Sequence, residues 1–187
     1  MQKEYDLSLS VGSAKKPIVL GELLPVETLL RLNPHWIIES VDEEDGHFTA
    51  RLKDYVSGVE FPLTGTLVIS EVGEIVLTMD HEKFQGVEIF TTDGNLFATV
   101  TYPYDEDELA EEDERYVVLW LRSVKEYLRL YLKESLYARF FRYVMNKVSL
   151  QMTPSQRKIS LMLIRFTVVE IFVIFLIVVG YVLFVLK

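Results

Sequence analysis

The sequence predicts an α+β domain followed by one membrane-spanning helix. Between residues 35 and 102, short alternating runs are separated by turn signals, which is the pattern of an antiparallel sheet with one apolar and one wet face. From about Glu112, apolar residues recur at helical spacing, and no glycine or proline interrupts them before Pro154. From Phe166 to Leu186 the chain reads FTVVEIFVIFLIVVGYVLFVL, with Glu170 its one charge. At about 1.5 Å per residue this run covers the roughly 30 Å hydrocarbon core of a bilayer.

Residues 4–12 alternate as a half-buried strand, with Tyr5, Leu7, Leu9 and Val11 on one side. After Lys15, Lys16 and Pro17, one or two short helices are expected, broken near Gly21, with Pro25 at a first helical position and Asn33–Pro34 as a stop. Six more strands follow, at residues 35–41, 47–55, 59–72, 75–80, 87–92 and 96–102. The turns between them are marked by Asp45–Gly46, Ser57–Gly58, Gly73–Glu74, Gln85–Gly86 and Asp93–Gly94. Gly65 falls inside a strand, where a bulge or bend is expected. Residues 105–114, DEDELAEEDE, read as a linker running into the acidic first turn of a helix. They lack the spacing and glycine of an EF-hand loop. In the helix that follows, Val117, Trp120, Leu121, Val124, Leu128, Tyr131 and Leu132 form the apolar stripe, and Arg115, Arg122, Lys125, Arg129 and Lys133 the other side.

The charge is divided along the chain. Residues 1–114 carry a net charge of −18 and residues 115–187 a net +9, within a total of −9. An acidic body on a basic stalk suits a protein held upright at an anionic leaflet, and makes nucleic acid a poor partner for the body. There is no cysteine, which excludes disulfides, thiolate chemistry and Cys-ligated zinc or iron–sulfur sites. MQKEYDLSLSV contains no apolar core of a signal peptide. The expectation is therefore a tail-anchored, single-pass protein whose N-terminal domain faces the cytoplasm. Lys147, Arg157, Lys158 and Arg165 flank the anchor on that side, in line with the positive-inside rule.

Residues 137–147, YARFFRYVMNK, mix rings with cations. Arg139, Phe140, Arg142 and Tyr143 suit either headgroup depth in a bilayer or a partner helix. Glu170 within the apolar run costs about 2–3 kcal/mol if placed centrally. About one turn below Arg165, it either snorkels to the headgroups or is protonated, or else makes a polar contact to another membrane subunit or serves a proton-linked site. Gly180 leaves room for close helix packing.

Catalytic patterns are thin. His35, His47 and His81 lack metal-ligand spacing, and no GxSxG, P-loop or GxGxxG is present. No catalytic residue, metal or cofactor is expected, and His81, between Asp80 and Glu82, is expected at an exposed strand end.

Taken together, the strand at residues 5–11, the short-helix stretch VETLLRLNP, the turn-linked strands and the helix 116–132 resemble the START-like or SRPBCC superfamily, whose fold is the helix-grip. The resemblance covers about residues 4–134. It implies a curved antiparallel sheet around a long helix, enclosing an apolar cavity for lipids, sterols, quinones or polyketides. The architecture is also similar to the branch associated with aerobic carbon monoxide dehydrogenases, which carries a C-terminal membrane segment. On this resemblance Leu63, Leu67, Ile69, Leu77, Met79, Ala98 and Val100 face Val117, Trp120, Leu121 and Val124 across the cavity. The expected organisation is a helix-grip domain at 1–134, a basic and aromatic juxtamembrane segment at 135–158 and an anchor at 159–187. The expected function is non-catalytic binding of an apolar lipid- or quinone-type molecule beside the bilayer. The alternative is a ligand-free accessory subunit of a membrane complex.

Overall fold

Seven strands form one antiparallel sheet: β1 (Gln2–Ser10), β2 (Trp36–Glu44), β3 (His47–Asp54), β4 (Glu60–Ile69), β5 (Ile75–Met79), β6 (Gly86–Thr92) and β7 (Asn95–Thr101). The structure is a computed structural model that describes residues 1–11, 19–70, 73–132 and 134–185. The expected roles of Gly12, Lys15, Lys16, Pro17, Val72, Lys133, Leu186 and Lys187 lie outside the described residues. The spatial order is β1-β7-β6-β5-β4-β3-β2, so β2 to β7 form a meander and β1 returns to pair with β7.

Two of the turns are dictated by single dipeptides. Asp45–Gly46 and Asp93–Gly94 both take the left-handed conformation, at φ 50° and 77° and at φ 51° and 77°. That is the geometry of a two-residue type I′ turn, whose twist matches that of the strands it joins. Alternation then selects the buried face. In β3, Phe48, Ala50 and Leu52 are buried, and Thr49 and Arg51 are exposed.

Gly65 is not at a bulge: β4 pairs with β3 and β5 through this position without a register shift. Its missing side chain serves close packing, since a Cβ there would lie 2.1 Å from the Thr78 carbonyl oxygen and 2.7 Å from the Phe48 ring. Register shifts lie instead in β2, between Ile38 and Ser40, and in β1, between Asp6 and Ser10. There Ser8 has φ 48° and its N–H donates to Asp6 Oδ1.

Among the described residues, five α-helices accompany the sheet: α1 (Leu20–Leu23), α2 (Val26–Arg31), α3 (Glu111–Leu132), α4 (Leu136–Lys147) and α5 (Pro154–Val185). Gly21 lies inside α1, and the break falls at Leu24–Pro25 instead. A Cβ on the glycine would meet the tip of the half-exposed Ile69 side chain at 2.5 Å, so a larger residue there would push Ile69 aside.

The helical stretch that no glycine or proline interrupts before Pro154 is divided, and its first part ends where the expected helix 116–132 does. Leu132 ends α3, and Ser135 caps α4 by accepting from the Ala138 N–H at 3.0 Å. A serine oxygen that satisfies a free helix N–H stabilises a new start there. The domain extends through Gln151, and Met152–Lys187 forms a second unit.

The sheet's apolar face packs on α3. Leu63, Leu67, Leu77, Met79, Ala98 and Val100 share one core with Val117, Trp120, Leu121 and Val124. Trp120 is 1% exposed, and its indole N–H donates to the Leu29 carbonyl at 2.8 Å, which fastens α2 to α3. Trp120 also meets the rings of Trp36 at 6.0 Å and Phe84 at 5.3 Å.

Within the second unit, Pro154–Phe184 is long and apolar enough to cross a membrane, with a mean hydropathy of 2.7 over its most apolar 18 residues.

Candidate functional site

A pocket of about 670 Å3 opens at the end of the sheet nearest the start of α3. This lies inside the range of roughly 300–1,000 Å3 typical of small-molecule sites. Its walls come from the start of β2, the β3–β4 turn, the loop after β5 and the first turns of α3.

The floor is aromatic. His35 stacks on Tyr116 with centroids 4.0 Å apart and planes at 14°. His81 lies against Phe84 at 5.0 Å, Trp36 at 5.4 Å and Phe61 at 5.9 Å. The rim is acidic, with Asp54, Asp80, Glu82 and Glu112 set against the cation of Lys83. Lys83 is itself committed: it pairs with Asp113, and its Nζ stands 5.3 Å from the Tyr116 ring centroid. The Tyr104 hydroxyl completes this clamp, its one proton shared between the Lys83 carbonyl and Asp113, both at 3.0 Å.

The β3–β4 turn is built by Asp54. Its carboxylate accepts from the N–H groups of Val56 and Ser57 and from the Ser57 hydroxyl. Burial works to raise its pKa, but these bonds outweigh burial and hold it below the usual carboxylate value. The turn carries Val56, 80% exposed, and Val59 as an apolar lip at the mouth.

The two histidines are held neutral. Burial lowers the pKa of His35, with opposing effects from Asp54 and Lys83. Burial also lowers that of His81 against the pull of Glu82. His81 Nδ1 accepts from the Lys83 N–H at 3.2 Å. In a neutral imidazole that assigns the proton to Nε2, a donor. Burial raises the pKa of the Tyr116 phenol, so its hydroxyl stays protonated as well. His35 Nε2 and Trp36 Nε1 are buried without a hydrogen-bond partner; the indole N–H lies toward the Tyr116 hydroxyl without reaching bonding geometry. His81 therefore does not sit at an exposed strand end. The chain turns inward after Met79, and the ring is packed among aromatics that its neighbours Asp80 and Glu82 give no hint of.

A depressed histidine pKa means that the unfolded chain takes up protons first on acidification. Stability should be full above about pH 6.5 and be lost as pH falls from there through the folded-state value. For His81 the loss is at most about 1.4 kcal/mol per pH unit, and His35, more open to solvent, contributes less. Urea unfolding of the full chain between about pH 7 and 5 should show this slope, and His81→Gln should flatten it. An unchanged slope in that variant would mean that the ring is not held neutral by its surroundings.

None of the residues expected to form the cavity, Leu63, Leu67, Ile69, Leu77, Met79, Ala98, Val100, Val117, Trp120, Leu121 or Val124, lines this pocket. Trp36, Phe84 and Trp120 occupy the space between sheet and helix. Ile69 departs further: it is 50% exposed and lies beside Gly21 in α1. Arg139, Phe140 and Tyr143 are exposed on α4, and Arg142 is half-buried over the Tyr131 ring. Arg165 and Glu170 are exposed on α5, and a Cβ added to Gly180 would meet nothing within 4 Å. Among the described residues, no cluster of three His, Asp or Glu side chains is arranged to hold a metal.

The pairing order of the strands and the passage of α3 across the sheet's apolar face define the architecture. The chain has the helix-grip fold. No family model matches it, and no curated protein matches it. Similar solved structures include the AHSA1-like protein from Aeromonas hydrophila, at 14% identity and TM-score 0.46, covering 72% of this chain and 96% of that one. A hypothetical protein from Sulfolobus tokodaii aligns at 18% identity and TM-score 0.44, covering 79% and 99%. The Zhui aromatase/cyclase from Streptomyces sp. R1128 aligns at 15% and 0.44, covering 72% and 95%. At these identities and scores no ligand or reaction carries over from them to this chain.

Proposed function

We propose that this chain is a membrane-tethered helix-grip domain that binds an apolar, ring-bearing small molecule of quinone type, without covalent chemistry. The observation that carries this reading is the pocket floored by His35, His81, Phe61 and Tyr116. Flat rings offer faces to a flat ligand, and stacking of this kind contributes about 0.5–1.5 kcal/mol per pair beyond burial. The His81 Nε2–H and the Tyr116 hydroxyl supply donors that suit a carbonyl oxygen. The acidic rim disfavours a fatty acid or other anion. The tether is α5, with Arg157, Lys158 and Arg165 preceding its most apolar stretch, which supports placing the domain on the cytoplasmic side.

Native mass spectrometry of the full chain, released from detergent, should show an added small-molecule mass. The same mass should be lost in Val59→Trp, which fills the mouth from an exposed position. No added mass in the parent chain, or the same mass in both proteins, would overturn the reading.

A further inference from the structure

The pocket and α4 occupy opposite ends of α3. The pocket is lined by Tyr116, in the first turns of α3, whereas α4 packs against Tyr127 and Tyr131 near its end. Asn146 donates to the Tyr131 hydroxyl at 3.0 Å and accepts from the Tyr127 hydroxyl at 3.2 Å. Ala138 is buried, and Met145 packs on the core. These contacts fix which face of α4 turns inward, and so which face is left open. The open face carries Leu136, 81% exposed, Phe140, 61% exposed, and Tyr137, Tyr143, Arg139 and Lys147.

Two observations say what covers it. The first is charge. Between Glu134 and Glu170 the chain has no acidic residue, and its cations there are Arg139, Arg142, Lys147, Arg157, Lys158 and Arg165, in a protein of net charge −9. The second is reach. Pro154, the start of α5, follows Lys147 by seven positions, which an extended chain spans in at most about 25 Å. Exposed rings between cations, this close in sequence to a spanning helix, match the chemistry of the headgroup layer.

We propose that α4 lies on the anionic lipid surface, with Leu136, Phe140 and Tyr143 at headgroup depth. The proposal rests on the tethering read from α5. Its consequence concerns the pocket. From Tyr131 to Tyr116 the rise along α3 is about 22 Å. On this proposal the acidic pocket mouth, with Val56 and Val59, at the other end of α3, faces solution. An acidic rim and an anionic leaflet repel one another, which favours the same orientation. The ligand then reaches the pocket through water or from a partner at the outer end, and not directly from the lipid beneath.

The chain has no cysteine, so single labels can be placed without background. Phe140→Cys, Val56→Cys and Ile174→Cys, each in the full chain, carry an environment-sensitive fluorophore. They are reconstituted into vesicles of phosphatidylglycerol with phosphatidylcholine, or of phosphatidylcholine alone. Lipid-borne nitroxides should quench the label at 140 in the anionic vesicles, and those in the hydrocarbon core should quench the label at 174. The label at 56 should respond only to a water-soluble quencher. Arg139→Glu with Lys147→Glu should weaken quenching at 140, since each cation near an anionic surface is worth about fivefold in binding. Quenching at 174 but not at 140 would overturn the docking of α4 while leaving the tether standing. Its appearance only after a membrane-protein partner is added would assign α4 to that partner. Absence of quenching at 174 would remove the tether on which the proposal rests.

Discussion

Replacing Trp120 by alanine is expected to cost about 3–5 kcal/mol of folding stability, the range for deleting a buried aromatic side chain. The size follows from position. The side chain is 1% exposed, touches the rings of Trp36 and Phe84, and bonds to the Leu29 carbonyl. Alanine would leave a cavity between sheet and helix and a buried carbonyl without its donor. Trp120→Phe, which keeps most of the ring but not the N–H, separates the two effects and should cost about 1–2 kcal/mol. Denaturant unfolding of the full chain in detergent, followed by near-ultraviolet circular dichroism, measures both. A loss below about 1 kcal/mol for the alanine variant would mean that α3 is not gripped by the sheet.

The second large effect concerns the pocket. Tyr116→Ala is expected to weaken ligand binding about 30-fold, the factor that corresponds to about 2 kcal/mol for a central aromatic contact. The variant removes the ring on which His35 stacks and takes away the far wall of the pocket. Tyr116→Phe keeps the stack and should hold binding within about fivefold, the cost of one neutral hydrogen bond. Titration of the full chain with a water-soluble short-chain benzoquinone, read by tryptophan quenching from nearby Trp36, compares the three proteins. Equal binding by the alanine variant would place the ligand elsewhere.

These two residues differ in how they can be found. Trp120 is legible in the sequence because a helix that buries one face must repeat apolar residues at three and four, and the pattern around it does so. Tyr116 belongs to the same helix but takes its role from His35 and His81, which lie 81 and 35 positions earlier in sequence. Neither histidine has a spacing that signals a shared site, so the pocket is invisible until the chain is folded. The cap that starts α4 at Ser135 escapes sequence reading for a local reason. Serine is tolerated inside a helix, and only its bond to the Ala138 N–H shows that it starts one. Gly65 stands out inside its strand, but its purpose depends on the Phe48 ring and the Thr78 carbonyl across two neighbouring strands.

By itself the sequence determined most of the elements and their faces, the acidic body and basic stalk, and a helix of spanning length, because these depend on periodicity, turn chemistry and composition within short windows. Only the tertiary structure decided that Trp36, Phe84 and Trp120 pack between sheet and α3, and that an aromatic pocket lies at the helix's first turns. The physical reason is that packing is settled by side chains distant in sequence: one more ring in the core closes a cavity, and two histidines brought onto one tyrosine open a site.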